Sequence, residues 1–93
     1  NLEGLISKNP LEAEARFQLG RIYFNNGRAD EAIEQLKTVI ILLPNHSNAH
    51  YSLGVAYAAQ KKTALAIQEF EKVLELNPDN PDIIKKLKSL RGY

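Results

Sequence analysis

The chain has 93 residues, 44% hydrophobic and 25% charged, with a net charge of +1 and no Cys, Met or Trp. That composition suits one small folded domain and excludes a disulfide framework, a thiolate metal site and a cysteine nucleophile. No apolar run reaches the roughly 18–20 residues of a membrane-spanning helix, and no basic segment followed by an apolar one opens the chain as a signal peptide does.

Taken in chain order, the residues repeat. Pro10, Pro44 and Pro78 are 34 residues apart, and residues 13–46 laid on 47–80 match without a gap. The identities include Ala15/Ala49, Leu19/Leu53, Gly20/Gly54, Tyr23/Tyr57, Ala32/Ala66, Val39/Val73 and Pro44/Pro78. A fixed period of this length marks a repeat architecture.

Residues 1–9 register with the end of a unit: Leu2 falls on Leu36 and Leu5 on Val39. They are expected to be the tail of a preceding helix, which suggests a piece cut from a longer array. Apolar Leu2, Leu5 and Ile6 would then leave an edge able to self-associate. Helices are expected at 11–25 and 29–42, where Phe17, Leu19, Ile22, Tyr23 and Phe24, then Ile33, Leu36, Val39 and Ile40, recur at helical spacing. Asn25-Asn26-Gly27 between them is a turn with a glycine at the helix end. The second unit repeats this at 46–59 and 63–76, but Lys61 stands where the first has Gly27, so its turn should cost conformational energy.

Small residues define each crossing. Gly20 faces Ala32 and Gly54 faces Ala66, which lets paired helices approach at the short end of the usual 8–10 Å range. A last helix is expected at 81–91, with Asn80 as N-cap and Pro81 at its first position. It keeps Ile84 and Leu87 as apolar positions, but Lys88 replaces the crossing glycine and Arg91 the tyrosine. No second helix should dock there, and 81–93 should form a polar cap. This segment carries Lys85, Lys86, Lys88 and Arg91 against Asp82, a net of +3, while residues 1–80 carry −2 (eight Lys/Arg against ten Asp/Glu). The basic tail reads as a solvated helix face rather than as a nucleic-acid contact.

No catalytic constellation is present. His46 and His50 are spaced i, i+4, but without a third ligand; His46 is expected in the inter-repeat turn and His50 at a packing position, with no metal. Glu12, Glu14, Glu69 and Glu71 are expected to be solvated helix charges. Asn45-His46-Ser47 has the form of a glycosylation sequon, read as coincidental. No phosphate-binding loop and no cofactor or small-molecule site is expected.

Leu19-Gly20-x-x-Tyr23, Ala32, Leu36, Val39 and Pro44, repeated as Leu53-Gly54-x-x-Tyr57, Ala66, Phe70, Val73 and Pro78, resemble the tetratricopeptide repeat. The usual aromatic early in the first helix is Arg16 and His50 here. The resemblance implies an all-α fold, a right-handed superhelical stack of antiparallel helix hairpins, forming a single array over 1–93. It implies a protein-binding scaffold with no enzymatic activity, whose first helices line a concave groove for a peptide or partner helix. Self-assembly through the N-terminal edge is the alternative. Carried over by position, the groove holds Glu14, Phe17, Arg21, Phe24 and Asn25, then Asn48, Tyr51, Ser52, Val55, Ala58 and Ala59, then Lys85, Lys86 and Ser89. Phe17, Phe24 and Tyr51 are the expected anchors. Family members that bind acidic chaperone tails use a two-carboxylate clamp; its positions are Phe17, Arg21, Ser52, Asp82 and Lys86 here, so the clamp is absent. Neither compartment nor partner is legible; a cytoplasmic location is only the default expectation.

Overall fold

A computed structural model describes residues 10–92, and they form five α-helices in antiparallel pairs: α1 (Pro10–Asn25), α2 (Ala29–Leu42), α3 (Ser47–Ala59), α4 (Thr63–Leu76) and α5 (Pro81–Arg91). Among the described residues there is no strand, and no helix is long and apolar enough to cross a membrane. Helices α1 and α2 form one hairpin and α3 and α4 a second; α2 packs on α3 and α4 on α5, so each unit lies on the next. This is the stacked helical-hairpin arrangement expected of the repeat. Leu2, Leu5 and Ile6, and the expected preceding helix tail, lie outside the described residues.

The two hairpin turns share one hydrogen-bond pattern. Gly27 N–H donates to Phe24 O (3.0 Å) and Arg28 N–H to Tyr23 O (2.8 Å); Lys61 N–H donates to Ala58 O (3.0 Å) and Lys62 N–H to Tyr57 O (2.9 Å). This pattern needs a left-handed residue, supplied by Gly27 at φ +79° and by Lys61 at φ +61°. A side chain there crowds the following carbonyl, so Lys61 carries the expected strain. The junctions between units are alike as well: His46 N–H donates to Leu43 O (3.0 Å) and Asn80 N–H to Asn77 O (3.2 Å), across Pro44 and Pro78 respectively. Asn80 caps α5, its Oδ1 accepting from Asp82 N–H (3.1 Å) and Ile83 N–H (3.4 Å).

The core is a continuous seam running between the helices. Ala13, Phe17, Leu36 and Val39 of the first hairpin join Ala49, Leu53, Ala56, Tyr57, Phe70 and Val73 of the second, and Ile83 and Leu87 close its far end. Gly20 meets Leu36, and Gly54 meets the Phe70 ring, so the glycines admit large side chains from the paired helix as well as a close backbone. In α5 the expectation is corrected by one residue: Ile83 is buried and Ile84 is 38% exposed. Ile83 repeats the register of buried Ala49, and 83, 87 and 90 form the stripe that faces α4.

Candidate functional site: the groove along alpha 1, alpha 3 and alpha 5

Three cavities adjoin along one face of the stack. The first, about 190 Å³, is lined by Arg21, Phe24 and Asn25 of α1, Tyr51, Ser52 and Val55 of α3, and Leu36 of α2, which is reached beside Gly20. Phe17, Arg21, Asn48, Tyr51 and Ser52 line the second. The third lies between α3 and α5, with Val55, Ala58, Phe70, Lys86, Ser89 and Leu90 around it. Arg21, Tyr51 and Ser52 belong to both of the first two, and Val55 joins the first to the third, so the three make one groove. Its central cavity is below the roughly 300 Å³ at which small-molecule pockets begin. It fits single side chains of a longer ligand better than a whole small molecule.

The residues expected at the groove divide into three groups. Arg21, Phe24, Asn25, Asn48, Tyr51 and Val55 do line it. Phe24, Tyr51 and Val55 are half-buried, each packed on the core while keeping a face toward the cavities. Phe17 differs from expectation. It is 6% exposed and belongs to the core seam, its ring 4.9 Å from that of His46 at the start of α3. It lines the second cavity but is buried, so it is not an exposed anchor. Of the α5 residues expected at the groove, Lys86 and Ser89 line the cavity between α3 and α5, and Lys85 is not among its lining residues. Leu36 and Leu90 were not expected. Their apolar character assigns them to the seam, and Leu36, though buried, borders the first cavity beside Gly20.

The polar groups are placed by ring stacking. The Arg21 guanidinium lies 5.8 Å from the Phe17 ring centroid and the Lys86 ammonium 5.7 Å from that of Tyr51. Both distances suit a cation held on a π face. Neither cation has a carboxylate partner among the described residues. By contrast, Arg16 is paired with Glu12 (2.7 Å), Lys72 with Glu75 (2.9 Å) and Arg91 with Glu71. The expectation that Glu12 and Glu71 are merely solvated is corrected by these pairs.

The histidines lie behind the groove. His46 is the N-cap of α3, its Nδ1 accepting from Ala49 N–H at 3.1 Å. Buried His50 has Nδ1 2.7 Å from Glu69 Oε1 and Nε2 2.7 Å from Pro44 O, so Glu69 is also a structural partner rather than a free charge. The first hairpin puts Arg16 and Gln35 at the equivalent positions, with Arg16 Nη1 donating to Gln35 Oε1 at 3.2 Å. These contacts tie α1 to α2 and α3 to α4, which explains both departures from the usual aromatic. Among the described residues no group of three or more His, Cys, Asp or Glu could hold a metal.

Family models match along the chain, one of them over the second hairpin. A "Tetratricopeptide repeat" model matches residues 47–80, a "TPR repeat" model 20–61, and a second "Tetratricopeptide repeat" model 2–34. The chain is 36% identical over 62 residues to the tetratricopeptide repeat domain-containing protein PYG7, chloroplastic, of Arabidopsis thaliana, covering 67% of this chain and 21% of that protein. It is 27% identical over 74 residues to human RANBP2-like and GRIP domain-containing protein 1, covering 80% of this chain and 4% of that protein. Among solved structures, the first TPR of Spaghetti (RPAP3), bound to HSP90 peptide SRMEEVD, superposes with a TM-score of 0.62 at 21% identity. That likeness in fold covers 94% of this chain and 96% of that one.

Proposed function

The chain belongs to the tetratricopeptide repeat family, and from that premise we propose that it is a non-catalytic docking module that takes a protein segment in the groove along α1, α3 and α5. One observation carries the reading: three cavities share lining residues and form a continuous, partly apolar trough bordered by Arg21, Lys86, Asn25 and Asn48. Rings and arginines set in a concave surface are the usual anchors of protein interfaces. Phe24 and Tyr51 take that role, with Val55 between the cavities. The peptide held by the RPAP3 domain is that protein's ligand; here Asp82 stands among the clamp positions, and the same acidic tail is not proposed. The test is Phe24→Ala: affinity for a partner recovered by affinity capture should fall while the helical signal and the unfolding midpoint change little. Equal loss of midpoint and binding would make Phe24 a core residue and sink the reading.

A second reading rests on α1. Leu19 is 37% exposed and Ile22 54%, while their equivalents in α3, Leu53 and Ala56, are fully buried under α2. A second copy covering Leu19 and Ile22 would make the module self-associate. Light scattering at high concentration that gives only monomer, for wild type and Ile22→Glu alike, would remove this reading.

A further inference from the structure

We propose that Asn26-Gly27, in the turn between α1 and α2, is a self-modification site at which the asparagine amide is lost through a cyclic succinimide. Such a reaction joins the side-chain carbonyl carbon of asparagine to the backbone nitrogen of the next residue. Its rate depends on whether that nitrogen carries a hydrogen, whether the next side chain blocks the approach, and whether the backbone can bring the two atoms together.

The described asparagines differ in these respects. Asn77 and Asn80 precede Pro78 and Pro81, whose nitrogens carry no hydrogen. Asn48 lies inside α3, where Ala49 N–H donates to His46 Nδ1 at 3.1 Å. Asn25 is followed by Asn26, whose N–H donates to Ile22 O and Tyr23 O, both at 3.1 Å, at the end of α1. Asn45 is followed by the bulky His46, whose N–H donates to Leu43 O at 3.0 Å. Among the described asparagines only Asn26 precedes a glycine. Both residues are exposed, and nothing lies within 4 Å of a Cβ placed on Gly27, so the approach is open. Gly27 also rotates through conformations that a side chain forbids. The same turn in the second hairpin reads Gln60-Lys61, with a longer side chain and a residue that bears a Cβ.

The closed turn holds the reaction back. Gly27 N–H donates to Phe24 O at 3.0 Å, and the nitrogen cannot attack while it keeps the proton it donates. Local opening of the turn frees it. Base then removes that proton, the nitrogen bonds to Asn26 Cγ, and the side-chain nitrogen leaves as ammonia. Water opens the ring at either carbonyl. One cut restores the original backbone with an aspartate. The other leaves an isoaspartate, whose backbone runs through the former side chain and is longer by one carbon. The added carbon upsets the spacing of the Gly27–Phe24 and Arg28–Tyr23 hydrogen bonds. The hairpin is thereby loosened at the end where Phe24 and Asn25 line the groove.

The test ages the 93-residue chain in mildly alkaline buffer and follows the tryptic peptide 22–28 by mass spectrometry, with enzymatic methylation of isoaspartate as a second readout. That peptide should gain one mass unit and take the methyl label several-fold sooner than the peptide holding Asn45 and Asn48. Gly27→Ala should slow the change several-fold even though it strains the turn. In urea above the unfolding midpoint the wild-type rate should rise at least about tenfold, equivalent to an opening cost of about 1.4 kcal/mol or more. The isoaspartate fraction, separated from aged protein, should unfold at lower urea than Asn26→Asp, which carries the same charge on a backbone of normal length. Modification of Asn26 no faster than of Asn45 and Asn48, or an unchanged rate in Gly27→Ala, would overturn the site. Equal rates in native and unfolded protein would overturn the control by the turn. Equal midpoints for the isoaspartate fraction and Asn26→Asp would overturn the loosening of the hairpin.

Discussion

The two hairpins are copies of one design, solved differently at four equivalent positions. Where α1 and α2 cross, Gly20 faces a flexible leucine; where α3 and α4 cross, Gly54 faces the flat ring of Phe70. The first turn uses a glycine in the left-handed region and the second uses Lys61. An Arg16–Gln35 contact near the surface becomes a buried His50 held between Glu69 and Pro44. Leu19 and Ile22 are open in the first hairpin, while Leu53 and Ala56 are covered in the second. Position in the stack therefore decides what a residue contributes. Among the described residues, α3 packs on both α2 and α4, whereas α1 packs chiefly on α2. Repeat proteins follow this rule because their stability sums internal and nearest-neighbour terms.

Truncating the shared leucine should break the symmetry most. Leu53→Ala removes a fully buried side chain and should cost about 3 kcal/mol in urea unfolding, whereas Leu19→Ala should cost under about 1 kcal/mol. Equal losses would mean that α1 is as well covered as α3. The polar pair comes next. His50→Ala strips Glu69 and Pro44 O of their shared partner inside the repeat junction and should cost about 2 kcal/mol. Arg16→Ala, at a half-exposed site, should cost under about 1 kcal/mol, since exposed pairs contribute little.

The crossing glycines sharpen the comparison. A methyl group at Gly54 would sit 2.6 Å from Phe70 Cε1, and one at Gly20 3.0 Å from Leu36 Cγ. Overpacking costs about 1–3 kcal/mol, set against roughly 1 kcal/mol gained by replacing glycine inside a helix. Gly54→Ala should therefore destabilise by about 1–2 kcal/mol, and Gly20→Ala should be close to neutral because the leucine can turn aside. Adding Phe70→Leu to Gly54→Ala replaces the flat ring by the flexible leucine of the first hairpin, and the double variant should lose less than the sum of the singles.

Most of the fold was legible because its signals are periodic. The 34-residue spacing of the prolines, the Gly/Ala crossings and the Asn80-Pro81 start each correspond to a junction, a close approach or a cap. The groove was legible only in part. Helical spacing places Phe17 beside Arg21 and Phe24, but it does not say how far His46, from the next unit, covers that ring. Nor does it resolve the register of α5, in which Ile83 rather than Ile84 is buried. Both misses concern contacts between units. A repeat period describes what each unit shares and is silent on how a neighbour's side chain falls across it.

The smallest expected effect isolates the backbone alone. Lys61 and Gly27 hold the same turn, with the same two hydrogen bonds, and neither makes a side-chain contact that the turn depends on. Nothing lies within 4 Å of a Cβ placed on Gly27, so Gly27→Ala introduces left-handed strain without a clash. It should lower stability by about 1 kcal/mol. Lys61→Gly is the reverse substitution. It relieves that strain but gives the unfolded chain more freedom, so the gain should be smaller, about 0.5 kcal/mol. The informative variant is the exchange, Gly27→Lys with Lys61→Gly, measured by urea unfolding. If the two turns are energetically equivalent the pair should cancel to within a few tenths of a kcal/mol. A residual loss would show that the turn joined to the more open hairpin tolerates strain less well, because fewer neighbouring contacts hold it in place.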